Sequence, residues 1–458
     1  MRRRNFGLYK VSSLKLLLLS LFCMTLIAFS GFSSIKLQKV VAQQQSTSPS
    51  SNSSSWMNNS NTTSANKEHL SISLLNQIKP MILKNLGNKS KGGVSIVVGV
   101  ITPNGTSVSG YGNISKSNTT KVNGDSIFDI GSNTKTFTTT LLADMVKRGL
   151  VKLDDPLQKY LPSYVKVPTY HNDGHNITLE DLATHTSGLP DLPQKLIDNR
   201  TYPSQQIYNY ISHAQLVSEP GVRYKYNNLG LGLLGYVLSL KAGMPYRELI
   251  KDRILNVLGM NSTGIAMNST QITTPLPDIL KSRLAKGHIG GREVSLAFLP
   301  EVIQPAGAFY SSANNLLKYL SANMGFINTK INDILQDTHL IRHEETSIAN
   351  SSTTTQSLLA VYIGLGWDIL TNLGTEVVYH TGGIDGYISL VAFNPTKQTG
   401  LVILCSCDEN DAVLPANWIK NVILSLLSSS GIFAPGEVAP ITNANASGVK
   451  IEVYKGQL

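Results

Sequence analysis

The sequence predicts an α+β fold in which an antiparallel β-sheet is flanked by N- and C-terminal helices and carries a helix-rich insertion. Strand-like segments occur near both ends of the body, at residues 94–114 and 358–407. Between them, roughly residues 145–300 combine helical segments with long loops rich in Pro, Gly, Asn and Thr. One sheet built from both ends of the chain, with an insertion between its halves, accounts for this order.

Segments with a helical pattern of apolar residues and segments with a strand-like pattern follow one another along the body. Apolar residues at i, i+3 and i+4 indicate helices, and short β-branched runs bounded by Pro, Gly or Asn indicate strands. The turn Pro103-Asn104-Gly105 joins the first two strands into a hairpin. The last strands are the segments YIGLGWDI, EVVYH, YISLVAFN and GLVILCSC. The other predicted elements are helices at 70–86, 132–149, 229–240 and 418–427, and strands at 94–102, 106–114 and 127–130.

Composition and charge exclude several classes of protein. The chain has 458 residues, 41% hydrophobic and 15% charged, which excludes a coiled coil, a collagen-like fibre and a wholly disordered chain. The net charge is +10, but seven basic residues and no acidic residue lie in the first 42 positions, which leaves +3 for the remainder. Because the body has no basic stripe, no nucleic-acid partner is expected.

Residues 1–42 are typical of an export segment. Three arginines follow Met1, and residues 16–35 are uncharged and strongly apolar. The small residues Val40 and Ala42 suit cleavage before Gln43, whereas the apolar run is long enough to span a bilayer. A cleaved signal peptide and a retained membrane anchor both remain open. In either case the body is expected to be exported, either extracellular or at the cell surface.

Residues 43–66 are predicted to form a disordered spacer, since 20 of these 24 residues are Gln, Ser, Thr or Asn. N-x-S/T sequences are frequent here and continue through the body. They fit a glycosylated surface protein and, equally, a host that favours these residues. The folded body is predicted over residues 67–432, followed by a tail at 433–458.

The three cysteines suggest no disulfide framework. Cys23 lies in the export segment, while Cys405 and Cys407 are two positions apart in a predicted strand. Alternation puts both side chains on one face, poorly placed to pair with each other. No cofactor or metal is predicted either. His171 and His175 frame the segment HNDGHN, which is interpreted as a polar loop because no third metal ligand is evident.

The first candidate for chemistry is Gly131-Ser132-Asn133-Thr134-Lys135. Ser132 and Lys135 are three apart at a predicted helix start, so they share one face near the positive end of the helix dipole. Such a site can hold a developing oxyanion and ease proton loss from the lysine. S-x-x-K occurs six times, but only Ser132 follows an apolar strand and opens a clear helix. Taken alone, the motif also fits an N-cap serine beside an exposed lysine.

Two further segments carry functional groups. Tyr226 can transfer a proton and Asn228 can hold a substrate carbonyl, if both point into one cleft. The alternative is an Asn N-cap beside a packed tyrosine. His380 and Thr381, followed by two glycines, offer a cation-capable side chain, a hydroxyl and close backbone approach to a ligand. The alternative there is a turn at the end of a strand.

Together, the three segments are far more specific than any one of them. S-x-x-K, Y-x-N about 90 residues later and H-T-G about 150 further on resemble the class C β-lactamase and penicillin-binding-protein family of serine hydrolases. The stretches FDIGSNTKTFTT, LATHTSGLPD, RYKYNNLGLGLLG and PAGAFYSSANNLLKYL are similar to the same family. The resemblance covers about residues 70–427 and implies a β-lactamase/DD-peptidase-like fold for the body. It assigns His185 to a structural loop.

The resemblance implies an exported serine hydrolase that acts through an acyl-enzyme. Ser132 is the implied nucleophile, Lys135 its activator, and Tyr226 the group that relays protons. The backbone N–H groups of Ser132 and Gly383 are the implied oxyanion hole. The implied partner is a small-molecule or peptide substrate, and the oligomeric state is not predicted.

The leaving-group side departs from the class C pattern. The resemblance implies that Asn228 binds the substrate's acyl amide and that His380 and Thr381 line the leaving-group side. Class C enzymes carry lysine where this chain has His380, and histidine titrates near 6.5 whereas lysine stays charged to about pH 10. A substrate carboxylate therefore loses a partner, and potent β-lactamase activity is not expected to be the main role. D-amino-acid peptides, amides, esters and β-lactams all remain possible substrates.

Two non-enzymatic functions compete with this hypothesis. The first is a surface receptor or binding protein on a catalytically inactive version of the same fold. It predicts loss of at least one of the three motifs, and none is lost. The second is an adhesive surface protein, against which the large intact domain argues.

Overall fold

The computed structural model describes residues 60–87, 92–171, 174–193, 204–266, 276–346, 360–372, 374–408 and 413–427. The predicted export segment, most of the predicted spacer and the predicted tail lie outside these ranges. Among the described residues, none of the helices combines the length and the apolar character needed to span a bilayer.

An eight-stranded antiparallel sheet forms the centre of the fold and is built from both ends of the chain. Its spatial order runs from the second strand of the hairpin to the first, then to the last strand and back through the chain. Its strands are β1 (Ile96–Thr102), β2 (Gly105–Tyr111), β8 (His343–Thr346), β9 (Ala360–Ile363), β10 (Asp368–Asn372), β11 (Thr375–Ile384), β12 (Tyr387–Asn394) and β13 (Thr399–Cys405). Pairing of β1 with β13 closes the two halves of the chain into one sheet.

The segment between β2 and β8 holds short strands and most of the helices. A three-stranded sheet and a small hairpin are formed by β3 (Ile127–Asp129), β4 (Gly264–Ile265), β5 (Gly287–Ile289), β6 (Arg292–Val294) and β7 (Phe309–Ser312). The α-helices of the described residues are α1 (Ser60–Leu86), α2 (Thr134–Lys147), α3 (Leu179–Ala183), α4 (Ser204–His213), α5 (Asn228–Ala242), α6 (Tyr246–Ile250), α7 (Asp278–Lys281), α8 (Gln304–Gly307), α9 (Ala313–Asn323), α10 (Asn332–Thr338) and α11 (Ala416–Leu427).

The two faces of the large sheet pack against different helices. Alternate residues of β1 point to opposite faces, so Ile96, Val98 and Val100 join the core formed with α1 and α11. Val97 and Ile101 join the larger core formed with the helices of the insertion. Because both faces are covered, β1 is a nearly continuous apolar run. This arrangement confirms the predicted α+β class, with terminal helices on one face and the insertion on the other.

Several predicted boundaries move. Helix α1 begins at Ser60, inside the predicted spacer. Helix α2 begins at Thr134, and the residues before it form a 3₁₀ turn at Gly131–Asn133. Strand β11 continues to Ile384 because its ladder with β12 extends that far. His380 and Thr381 therefore lie within a strand, and the alternative of a strand-end turn is wrong.

The expectation that Cys405 and Cys407 do not pair is also wrong. Strand β13 ends at Cys405, so the alternation expected of a continuing strand does not reach Cys407. The two Cα atoms lie 5.3 Å apart and the side chains form a disulfide. Between them, Ser406 donates its N–H to the Ser95 carbonyl at 2.9 Å and accepts the Ser95 N–H on its Oγ at 2.9 Å. The bend thus ties the end of β13 to the start of β1.

Thiol counting tests this disulfide. Reduction of the denatured full chain should add two maleimide labels per molecule, measured by intact mass, because Cys405 and Cys407 are released together. A Cys405→Ser/Cys407→Ser variant is the control and should gain none. Labelling of both cysteines without reductant would contradict the disulfide.

Candidate active site

Ser132 lies on the 3₁₀ turn between β3 and α2. The turn begins at Gly131, whose φ of +47° favours glycine. The Thr134 hydroxyl donates to the Gly131 carbonyl at 2.7 Å and accepts the Phe309 N–H of β7 at 3.1 Å. These bonds hold the turn against the small sheet, and they leave Ser132 only 3% exposed.

Lys135 follows Ser132 on α2 and is fully buried. Its Nζ lies 2.9 Å from Ser132 Oγ and donates to the Ala306 carbonyl of α8 at 2.6 Å. Burial lowers the pKa of Lys135 well below its usual value of 10.5, because the ammonium ion loses its hydration. The alternative of an N-cap serine beside an exposed lysine is therefore wrong. A neutral amine at this position can accept the serine proton.

Tyr226 reaches the same hydroxyl from the start of α5. Its phenol O–H donates to Ser132 Oγ at 2.6 Å, and its ring centre lies 4.8 Å from Lys135 Nζ. Removal from water raises the pKa of Tyr226, so the phenol is protonated and acts as a donor. The helix is capped by Asn227, whose side chain accepts the Gly230 N–H at 2.8 Å. The N-cap of the helix is thus Asn227, and Tyr226 precedes it with its O–H on Ser132 Oγ.

Strand β11 borders the 3₁₀ turn Gly131–Asn133, which carries Ser132. A Cβ atom placed on Gly131 would lie 3.0 Å from the Gly383 oxygen and 3.1 Å from its nitrogen, so the two backbones are in contact. The ladder between β10 and β11 ends at Tyr379, whereas the ladder with β12 continues to Ile384. Beyond Tyr379, one edge of β11 therefore faces the turn that carries Ser132. Gly383, which is expected to share an oxyanion hole with Ser132, therefore lies beside the turn that carries Ser132.

His380 and Thr381 are both buried in this stretch of β11. His380 Nδ1 lies 2.5 Å from the Thr381 carbonyl. Burial lowers the pKa of His380 to about 3, because the imidazolium ion would lose its hydration. The expectation of titration near 6.5 is therefore wrong, and His380 is neutral throughout the physiological range. Thr381 Oγ1 has no hydrogen-bond partner within the described ranges, which leaves it able to bind a ligand.

The predicted site residues fall into two groups. Direct contacts join Ser132, Lys135 and Tyr226. The others lie on neighbouring elements: Asn228 is the first residue of α5, and His380 and Thr381 are buried in β11.

Three groups that hold the candidate site residues in place were not predicted to do so from the sequence. The Ala306 carbonyl holds the lysine, but a backbone group leaves no side-chain signal in a sequence. Ser389 of β12 accepts from the Asn133 amide at 2.7 Å and donates to the Ile130 carbonyl at 2.8 Å, which fastens the turn to the sheet. His185 packs its ring on Tyr226 at 4.5 Å between centroids. Its segment THTSG was visible in the sequence, but only as part of a loop.

Known proteins are similar to this chain over most of its length. A family model described as Beta-lactamase matches residues 84–423. The D-alanyl-D-alanine-carboxypeptidase/endopeptidase AmpH of Escherichia coli K12 is 29% identical over 325 residues, covering 68% of this chain and 79% of that protein.

Solved structures share the fold. A D-alanine carboxypeptidase AmpC from Burkholderia cenocepacia superposes with a TM-score of 0.60 at 23% identity, covering 76% of this chain and 99% of that one. A structure described as a class C beta-lactamase gives 0.64 at 20% identity, covering 80% and 97%.

A buried carboxyl group, Asp129, supports the turn that carries Ser132. It is 2% exposed, and its two oxygens accept the N–H groups of Gly131 at 3.1 Å and of Ala297 at 3.3 Å. Burial raises the pKa of Asp129 to about 7, with a smaller contribution from the charge of Asp385. The carboxyl is thus protonated below neutral pH.

This shift predicts a pH-dependent stability. Between about pH 4 and 7 the folded state binds more protons at Asp129 than the unfolded state, so the free energy of unfolding falls as the pH rises. Urea unfolding of the wild type and of Asp129→Asn should differ by up to about 1.4 kcal/mol per pH unit in slope over this window. The other titrating groups cancel in the comparison. A difference that does not change with pH would show that the carboxyl is not held neutral.

Proposed function

The chain belongs to the beta-lactamase family, and from that premise we propose that it is an exported serine hydrolase. It forms an acyl-enzyme on Ser132 and acts on amide or ester substrates. The observation that carries the proposal is the convergence of Lys135 and Tyr226 on one serine oxygen, at 2.9 and 2.6 Å. Export rests on residues 1–42 alone, which lie outside the described ranges.

In the acylation step, Ser132 Oγ attacks the substrate carbonyl while its proton passes to the neutral amine of Lys135. The negative charge that develops on the carbonyl oxygen is held by the N–H groups of Ser132 and Gly383. Each such donor contributes on the order of 3 kcal/mol to transition-state stabilisation. Tyr226 then relays a proton to the departing amine or alcohol, and the amide or ester bond breaks. Deacylation repeats these steps with water as the nucleophile.

The pKa directions favour Lys135 over a tyrosinate as the base. Burial stabilises the neutral form of each group, so the amine is ready to accept a proton and the phenol is ready to donate one. Tyr226 therefore serves as a donor and relay rather than as the group that first deprotonates Ser132. Asn228 is the residue proposed to bind the acyl amide of the substrate.

The substrate class follows from the uncharged leaving-group side. His380 is neutral, so it supplies no cation for a carboxylate beside the scissile bond. Thr381 Oγ1 remains as a neutral hydrogen-bonding group. Peptides with D-amino acids, amides and esters that lack such a carboxylate are the preferred substrates. The Escherichia coli relative is named both a carboxypeptidase and an endopeptidase. Endopeptidase action, on a bond without an adjacent carboxylate, supports a peptide substrate of this class, and β-lactams are the secondary candidates.

Covalent labelling tests the enzyme hypothesis. A fluorophosphonate probe should add one mass increment to the full-length wild type, mapped to Ser132, and none to Ser132→Ala. Ser163→Ala is the matched control because Ser163 belongs to another S-x-x-K sequence and is exposed; it should label like the wild type. Absence of both labelling and ester or cephalosporin turnover in the wild type would favour the inactive binding protein instead.

Substitution of His380 tests the substrate class. For a matched pair of substrates, one with a carboxylate and one with its methyl ester, the wild-type kcat/KM should favour the ester at a ratio that is constant from about pH 5 to 8. His380→Lys should shift this ratio toward the carboxylate by about tenfold, the equivalent of about 1.4 kcal/mol for a charge-assisted bond. His380→Gln, which is neutral, is the control and should keep the wild-type ratio. A tenfold wild-type preference for the carboxylate would refute the assignment.

A further inference from the structure

His185 takes no part in the mechanism above, yet its conformation is unusual. It lies in the loop after α3, is 4% exposed, and has a backbone φ of +59°. Left-handed backbone is uncommon for residues other than glycine, and it persists only where surrounding contacts stabilise it.

The contacts of His185 are directed at the two neighbours of Tyr226. Its carbonyl accepts the Lys225 N–H at 2.9 Å, and its Nδ1 accepts the Asn227 N–H at 3.0 Å. Between these bonds, its ring lies against the Tyr226 ring, with 4.5 Å between centroids and 36° between planes. One residue therefore holds the backbone on both sides of the tyrosine and the ring itself.

This arrangement requires a neutral imidazole with a defined tautomer. Because Nδ1 accepts a hydrogen bond, the proton of the neutral ring is on Nε2. Burial lowers the pKa of His185 well below 6.5, because the imidazolium ion would lose its hydration. Protonation would replace the acceptor at Nδ1 with a donor facing the Asn227 N–H.

The loop also holds Asn227 through its side chain. The Asn227 amide donates to the carbonyls of Leu189 at 2.8 Å and of Pro190 at 3.1 Å. The start of α5 is therefore fastened to the loop by the same residue that caps the helix. A displacement of this loop would move the tyrosine with it.

We infer that His185 is a positioning residue for Tyr226, which holds the phenol O–H on Ser132 Oγ through two backbone hydrogen bonds and one ring contact. The kinetic consequence rests on the proposed function, since it requires Tyr226 to take part in acyl transfer. The positioning itself is a structural property and does not depend on turnover.

Two substitutions of His185 differ in whether they keep the hydrogen-bond acceptor at the position of Nδ1. In His185→Asn the side-chain oxygen can replace Nδ1, and asparagine tolerates left-handed backbone. In His185→Gln the corresponding oxygen falls near the position of Nε2, so the bond to Asn227 is lost. The matched controls are His171→Asn and His171→Gln, because His171 is an exposed histidine with a φ of 55°. These controls report any general cost of replacing a left-handed histidine.

Kinetics of fluorophosphonate labelling give the first measurement. His185→Gln should lower the limiting rate of Ser132 labelling by about 10- to 100-fold with little change in probe affinity, because misplacement of a catalytic group costs rate rather than binding. His185→Asn should recover at least tenfold of this loss. In a Tyr226→Phe background, which keeps the ring but lacks the O–H, the effect of His185→Gln should shrink to about twofold.

The outcomes are separable. Equal rates in the two His185 variants, or an undiminished effect in Tyr226→Phe, would overturn the inference. Should His185→Gln fail to fold, a folded but unreactive His185→Asn would overturn it as well. If the wild type does not label at all, the proposed function fails. Crystal structures of the variants then decide the positioning: the 2.6 Å contact between Tyr226 and Ser132 should persist in His185→Asn and lengthen in His185→Gln.

Discussion

The burial of Lys135 is the constraint on which the site depends. The side chain has no exposure and its Nζ contacts a hydroxyl, a carbonyl and an aromatic ring rather than a carboxylate. An isolated ammonium ion in such surroundings is costly, and the neutral amine relieves that cost. The same exclusion of water keeps Tyr226 protonated and keeps His185 and His380 uncharged. The centre is thus polar but close to neutral, which suits proton transfer between its members.

Helix α2 can be buried around this lysine because the hydroxyl groups of its buried threonines find hydrogen-bond partners. Thr138 donates to the Pro305 carbonyl at 2.6 Å, and Thr139 donates to the Leu365 carbonyl at 2.7 Å. Buried hydroxyls that bond to the backbone of neighbouring segments cost little and fix the helix in register. The helix is therefore fixed to the segments that contain Pro305 and Leu365. This also fixes Ser132, which lies in the turn directly before the helix.

Local patterns in the sequence predicted the elements, and the family motifs predicted which residues to examine. The hairpin at Pro103 and the strand-rich C-terminal half were evident because each is encoded by neighbouring residues. What depended on distant segments was missed: the neutrality of His380 arises from burial in the assembled sheet, and the support by Ser389 arises from a contact across the fold. The disulfide was missed because alternation was extended beyond Cys405, where the strand had ended.

The contact between the insertion and β11 of the large sheet explains why the candidate site lies where it does. A Cβ atom on Gly382 would fall 2.1 Å from the Ile130 oxygen and 2.3 Å from Ser389 Oγ. Only glycine therefore lets β11 approach the turn that carries Ser132 this closely. The turn itself belongs to the insertion side, while β11 belongs to the large sheet. Ser132 therefore lies where the insertion packs against the large sheet, and any loosening of this contact would separate Ser132 from Gly383. The packing of the insertion against the large sheet thus sets the geometry on which the proposed reactivity of Ser132 depends.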